Sequence, residues 1–129
     1  MLAILTLACA CRCNATRPVP APENPPPRAY QIGMASFYAQ SFAGRRTASG
    51  ERYDPAALTA AHRSLPLGTV LRVTRVDARG SPLGPTVVVR VNDRGPYAAG
   101  RIIDLSRAAA RRLGIIDSGV ARVRLEIVR

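Results

Sequence analysis

Apolar and polar residues alternate with a period of two through Val70-Leu-Arg-Val-Thr-Arg-Val76. They do so again from Val120 to Val128, where Ala121, Val123, Leu125 and Ile127 stand opposite Val120, Arg122, Arg124 and Glu126. That period predicts strands with one face on a core and the other toward water. Thr86 to Val91 is a denser apolar run, and Gly80, Pro82, Gly84 and Pro85 before it predict a turn-rich loop that makes a hairpin with Val70–Val76. Met34 to Ala39 predicts a further short strand. One helix is signalled: Ser106 caps it, Ala108 to Ala110 and Leu113 propagate it, and Gly114 ends it. Asp54 and Pro55 predict the start of a second short helix, as cap and first helical residue. There is no internal repeat. The folded unit is therefore mainly β and spans residues 33–129, enough for one core without metal or disulfide staples.

Upstream the pattern changes twice. Met1 to Ala10 is an apolar run too short to span a bilayer and reads as the hydrophobic part of a secretory signal, although no basic residues precede it. Leu7-Ala8-Cys9 and Ala8-Cys9-Ala10-Cys11 resemble a bacterial lipoprotein cleavage box without its usual leucine. Residues 1–16 are accordingly read as a signal segment, either for plain secretion or with Cys9 or Cys11 as lipid acceptor on a membrane. Six prolines between Arg17 and Arg28 exclude helix and favour an extended polyproline tether, so 17–32 is read as a linker. All three cysteines lie before it, at Cys9, Cys11 and Cys13, which leaves the folded unit none. Their spacing is too tight for a zinc knuckle and no histidine follows nearby, so neither metal nor other cofactor is expected.

The formal net charge of +11 invites a polyanionic partner. Every basic residue is arginine, and the arginines are scattered along the chain with few aromatics among them for stacking bases. No helix-turn-helix, finger or RNA-binding signature is present, so nucleic acid is not expected as a partner. Acidic polymers outside the cell suit the charge equally well.

Chemistry concentrates in a few places. Val91-Asn92-Asp93-Arg94-Gly95-Pro96 sets an ionisable cluster at the end of an apolar strand, where Asp93 serves catalysis, or else pairs with Arg94 or caps the Gly95-Pro96 turn. Asp104 lies inside the apolar run Ile102-Ile-Asp-Leu105, where it needs a partner, a purpose, or the exposed N–H groups of the following helix. Glu51 belongs to the polar turn Thr47-Ala-Ser-Gly-Glu-Arg-Tyr-Asp54. The single histidine, His62, sits before the Leu65-Pro-Leu-Gly68 turn and alone could be structural or catalytic.

Together these segments resemble a known group. Ala35-Ser-Phe-Tyr38, Thr47-Ala-Ser-Gly-Glu51-Arg-Tyr-Asp54, Leu58-Thr-Ala-Ala-His62, Leu65-Pro-Leu-Gly68, Val91-Asn-Asp-Arg-Gly-Pro96 and Arg101-Ile-Ile-Asp-Leu-Ser106 are similar, in order, to the rare lipoprotein A group of bacterial lytic transglycosylases. The resemblance implies a six-stranded double-psi β-barrel with one or two short helices. It implies an enzyme that cleaves the β-1,4 bond between N-acetylmuramic acid and N-acetylglucosamine in stem-peptide-poor peptidoglycan, leaving 1,6-anhydro ends. The expectations that follow are a monomer in the bacterial cell envelope, exported to the periplasm, acting on peptidoglycan glycan strands. Asp93 is expected as the proton donor in a neutral groove that raises its pKa. Glu51 is expected as alternative acid or charge stabiliser, with His62 orienting one of them or binding sugar. Tyr38, Asn92, Arg94 and Asp104 are assigned to substrate binding. The stretch Asp77 to Pro85 is expected to form a longer loop than the family's tight turn. The competing reading is a non-catalytic, expansin-like wall-binding or wall-loosening module, since related expansin barrels also place a carboxylate where Asp104 stands.

Overall fold

A computed structural model describes residues 28–129. The signal segment 1–16 with Cys9 and Cys11, and most of the proline-rich linker, lie outside the described residues. The elements are β1 (Arg28–Phe37), a 3-10 turn (Gln40–Phe42), β2 (Thr59–His62), β3 (Val70–Val76), β4 (Pro82–Asp93), β5 (Arg101–Leu105), α1 (Arg107–Leu113) and β6 (Ala121–Ile127). The strands close into a barrel in the order β1-β5-β2-β4-β3-β6. Two pairs, β1 with β5 and β2 with β4, run parallel, and the others are antiparallel. The architecture is that of a six-stranded double-psi β-barrel.

The alternation read from the sequence is what fills this barrel. Leu71 and Val73 of β3, Val87, Val89 and Val91 of β4, Ile103 and Leu105 of β5, and Val123 and Leu125 of β6 are all buried, while Arg72, Val88, Arg90, Arg122 and Arg124 between them are more exposed. Closure removes the free strand edges that would otherwise invite pairing with other chains. Ala109, Ala110 and Leu113 of α1 pack with Ile115 against the same core. Gly33 lets β1 approach β5: a Cβ there would meet Ile102 Cγ2 at 2.7 Å.

Ser106 and Gly114 bound α1 as the sequence indicated. Ser106 Oγ accepts from Ala109 N, and Gly114 takes the left-handed conformation at φ 72°. The same hydroxyl donates to Ala57 O at 2.6 Å, tying the helix start to the chain entering β2. Ser106→Ala should therefore destabilise by about 1–2 kcal/mol. In thermal unfolding that corresponds to a melting point lower by roughly 5–15 °C.

Three expectations change. β4 begins at Pro82, so Pro82, Gly84 and Pro85 lie in a strand, and the turn shrinks to Asp77–Ser81, where the Asp77 carboxylate accepts from Arg79 N and Ser81 N. The longer loop expected between Asp77 and Pro85 is absent. The prolines are tolerated because β2 pairs only with the far end of β4, so their missing N–H groups interrupt no ladder on that flank. Asp54 and Pro55 start only a turn: Asp54 Oδ1 accepts from Ala56 N, and the chain then enters β2. Finally, β1 begins at Arg28, inside the stretch read as linker, and its early part pairs with β6.

Candidate active site

The strand order places two carboxylates in one row. Ala61 of β2 pairs with Asp93 of β4 on one side and Asp104 of β5 on the other, and Ser36 of β1 pairs with Asp104 beyond. A bulge between Ala60 and Ala61 sets the register that brings Asp93 into the row. With strands about 4.8 Å apart, the two acidic Cα positions lie roughly 10 Å from each other. Asp93 and Asp104 line one open cleft of about 530 Å³ with Tyr38, Phe42, Tyr97 and Arg101.

Asp93 is held from several directions. Its Oδ1 accepts the backbone N–H groups of Ala48 and Arg94, each at 2.9 Å, and its Oδ2 accepts the Tyr38 hydroxyl at 2.5 Å. Ala48 is delivered by the small hairpin Gly44–Tyr53, closed by Tyr53 N to Arg45 O and Thr47 N to Glu51 O, and docked on β4 by Ser49 N to Asn92 O. Burial, then the hydrogen bond to Asp93, then the Asp93 and Asp104 charges push the Tyr38 phenol well above the usual tyrosine range, so it remains a donor. Two amides occupy Oδ1, which leaves Oδ2 as the oxygen able to exchange a proton with a ligand. The neutral surroundings expected for Asp93 are not found: Arg45 and Arg46 share an adjoining recess of about 200 Å³ with Tyr38 and Asp93. Asp104 Oδ1, for its part, accepts the hydroxyl of buried Ser36.

The other candidates are distributed differently. Glu51 is exposed, and the Arg90 guanidinium grips its two oxygens at 2.5 and 2.8 Å. That hydrogen-bonded cation lowers the Glu51 pKa, so the group is an ionised carboxylate rather than a proton donor. It reaches the cleft only through its hairpin. Any stability this pairing adds is present above the unfolded carboxylate pKa and is lost as pH falls through the folded value, and solvent screens it. Glu51→Gln should leave the melting point at pH 7 nearly unchanged. Its rate loss, in an assay of glycan cleavage, should stay below the roughly 10²-fold that removal of a general acid brings.

His62 is not brought to Asp93 or Glu51. Its Nδ1 accepts the backbone N–H groups of Ser64 and Leu65, and its Nε2 faces Gln31 Oε1 at 3.1 Å. Burial, reinforced by the charges of Arg94 and Arg63, lowers its pKa and keeps it neutral. Asn92 is 2% exposed and does not line the cleft, so its assignment to substrate binding is corrected to a place in the strand end. Arg94 lines the cleft, yet its guanidinium donates to His62 O and Leu65 O, fastening the turn after β2 to the end of β4. The reading of Arg94 as an ion-pair partner of Asp93 fails, since only its backbone N–H touches that carboxylate.

Several residues of the site carried no sequence signal of their own. Tyr97, 78% exposed, and Phe42, 39% exposed, place aromatic surface on the cleft, a common platform for the apolar faces of sugars. Tyr38 stacks on Phe42 and meets Tyr53 edge-on, which fixes the hydroxyl that serves Asp93. In a chain with four tyrosines and two phenylalanines, an aromatic left in water was the available clue.

The family profile described as lytic transglycolase matches residues 30–125. A protein of Nostoc sp. named "probable endolytic peptidoglycan transglycosylase RlpA" is 59% identical over 98 residues, covering 74% of this chain and 25% of that protein. The endolytic peptidoglycan transglycosylase RlpA of Pasteurella multocida is 52% identical over 97 residues, covering 75% and 31%. That of Neisseria meningitidis serogroup A is 48% identical over 105 residues, covering 81% and 42%. The chain thus spans between about a quarter and two fifths of the length of these relatives. Among solved structures, the Streptomyces papain inhibitor superposes with a TM-score of 0.58 at 26% identity, covering 78% of this chain and 97% of the inhibitor. An expansin of Clavibacter michiganensis gives 0.56 at 26% identity, covering 76% and 50%. A mutant of that expansin was solved in complex with cellohexaose, at 25% identity and TM-score 0.56, with the same coverage.

Proposed function

Because this chain belongs to the lytic transglycolase family and carries the RlpA-type double-psi barrel, we propose that it cleaves the glycan strands of peptidoglycan between N-acetylmuramic acid and N-acetylglucosamine. The observation that carries this reading is the pair Asp93 and Asp104 on one open, aromatic-lined cleft. Asp93, protonated on Oδ2, donates to the glycosidic oxygen as the bond to the anomeric carbon breaks. The muramoyl C6 hydroxyl attacks that carbon, and the Asp93 carboxylate takes the hydroxyl proton. The products are a 1,6-anhydro end and a free hydroxyl, with no water consumed, so one committed acid suffices where hydrolysis generally uses two carboxyl groups. Asp104, set by Ser36, faces the same reacting region and stabilises positive charge on the sugar ring. Tyr38 holds Oδ2 in place, and Tyr97 and Phe42 offer faces for sugar stacking.

The domain works in the cell envelope, exported and tethered by the proline-rich segment that precedes β1, with Cys9 or Cys11 as the lipid-bearing residue where the tether is anchored. Incubating the protein with peptide-free glycan strands and analysing products by mass spectrometry tests the activity. Anhydro-muramoyl ends are expected. A second reading, binding without cleavage, draws support from Asp93 itself, whose two oxygens already accept three hydrogen bonds. Strand binding without anhydro products would favour it and exclude the first.

A further inference from the structure

Beside the cleft lies a smaller recess of about 100 Å³, lined by Tyr30, Gln31, His62, Arg63, Ser64, Arg101 and Ile102. Arg101 lines both spaces, standing at their junction. The acids of the site all belong to the cleft, and no carboxylate lines the recess among the described residues.

The hydrogen-bond directions inside the recess follow from His62. Two backbone N–H groups point at Nδ1, so that nitrogen is the acceptor and the ring proton resides on Nε2. Nε2–H therefore donates to Gln31 Oε1, which turns the Gln31 amide nitrogen into a donor with no protein acceptor among the described residues. Arg63 commits Nε to Pro96 O at 2.5 Å and Nη2 to Ala98 O at 2.8 Å, bracing the wall that carries Tyr97. Arg101 is exposed, and its guanidinium has no hydrogen-bond or ion-pair partner among the described residues. An unpaired guanidinium, a spare amide N–H₂, the Ser64 hydroxyl and a second cation make a surface of donors. Such a surface takes an anion, and a planar guanidinium suits a carboxylate in particular.

We propose that this recess is an anion subsite, with Arg101 as its specificity-determining residue, taking a carboxylate carried by the peptidoglycan strand. The proposal rests on the glycan-strand reading above. An anionic substituent is repelled by the Asp104 carboxylate in the cleft and attracted into the recess, which fixes the register of the sugar chain over Asp93. Two carboxylates of peptidoglycan share this chemistry: the lactyl group of muramic acid where no peptide is attached, and the acidic groups of a stem peptide.

Calorimetric titration separates them, run throughout on the Asp93→Asn background so that the strands are bound and not cleaved; wild type and variant here refer to position 101. Wild type and Arg101→Gln are titrated with peptide-free strands, the same strands after carbodiimide coupling of the lactyl carboxylates to methylamine, and strands bearing stem peptides. With a lactyl occupant, amidation weakens wild type by about 10- to 100-fold and leaves Arg101→Gln indifferent. Arg101→Lys keeps part of the preference. With a peptide occupant, amidation costs wild type nothing, and Arg101→Gln loses affinity only for the peptide-bearing strands. The proposal is overturned if Arg101→Gln binds all three as wild type does, or loses the same factor on all three. An absence of anhydro products from the protein that retains Asp93, with the carboxylate preference intact, would instead count against the cleavage reading alone.

Discussion

Asp93→Asn is expected to lower the rate of anhydro-muramoyl product formation by roughly 10²–10⁴-fold. The fold should survive the change. Asparagine retains an oxygen at Oδ1 for the N–H groups of Ala48 and Arg94, and its amide N–H can be accepted by the Tyr38 hydroxyl oxygen. Binding of strands should stay within a few-fold of wild type, so the loss appears in kcat rather than KM, as for a group that acts only in the transition state. Asp104→Asn is the necessary companion, because the row Ser36-Asp104-Ala61-Asp93 gives both acids access to the same cleft. A milder loss is expected there, confined to the charge that Asp104 supplies. If Asp104→Asn abolished product while Asp93→Asn retained it, the proton donor would be Asp104. Product analysis by mass spectrometry with parallel binding measurements decides between them.

The legibility of this chain differs from strand to strand for identifiable reasons. β3 and β6 could be read directly because each buries one face and wets the other, so alternation survives in the sequence, while the later part of β4 was readable as a dense apolar run. β2 could not. Thr59-Ala-Ala-His62 is buried throughout, flanked by β4 and β5, and a short run of small residues has no period to detect. Its two alanines are nonetheless what allow Asp93 and Asp104 to share a row. The first part of β4 was hidden by Pro82, Gly84 and Pro85, residues that speak for a turn wherever the flanking strand is not known to stop short. Helix α1 was fully signalled by its caps, because a capping serine and a left-handed glycine act locally.

The site was legible as a set of residues and opaque as an arrangement. Asp93, Asp104 and Tyr38 come from three distant motifs and do meet in one cleft. Glu51 and His62 come from equally distinctive motifs, but local partners take them: Arg90 for Glu51, Gln31 and two loop amides for His62. Nothing in the spacing of residues separates an acid that faces a cleft from one held by an arginine two strands away in sequence. The barrel's crossovers decide that, by choosing which strand ends become neighbours. Arg101 was likewise invisible as a chosen charge among scattered arginines, and only its lack of a partner at the junction of two recesses sets it apart.

His62→Asn tests that division between support and chemistry through stability. The imidazole accepts two backbone N–H groups and donates to Gln31 from a position 3% exposed, with Arg63, Arg94 and Arg101 as the charged neighbours and Tyr30 at 5.8 Å as the ring packed on it. Asparagine can keep an oxygen where Nδ1 accepts the Ser64 and Leu65 N–H groups, but it loses the Nε2–Gln31 hydrogen bond and the ring packed on Tyr30, at about 1–3 kcal/mol. That loss shows as a melting point lower by roughly 5–20 °C at pH 7.5. The sign of the pH dependence is fixed by the lowered pKa. Between the folded value and the unfolded value near 6.5, the unfolded chain binds a proton that the folded protein does not, so stability falls as pH falls through that window. Wild-type melting temperature should therefore drop on going from pH 7.5 to pH 5, and the His62→Asn variant should lack this component of the slope. Cleavage per folded molecule, measured below the variant's melting point, should remain within about tenfold of wild type, because the ring touches neither Asp93 nor the cleft aromatics Tyr97 and Phe42. A loss of 10³-fold with the pH slope unchanged would move His62 from the scaffold into the chemistry.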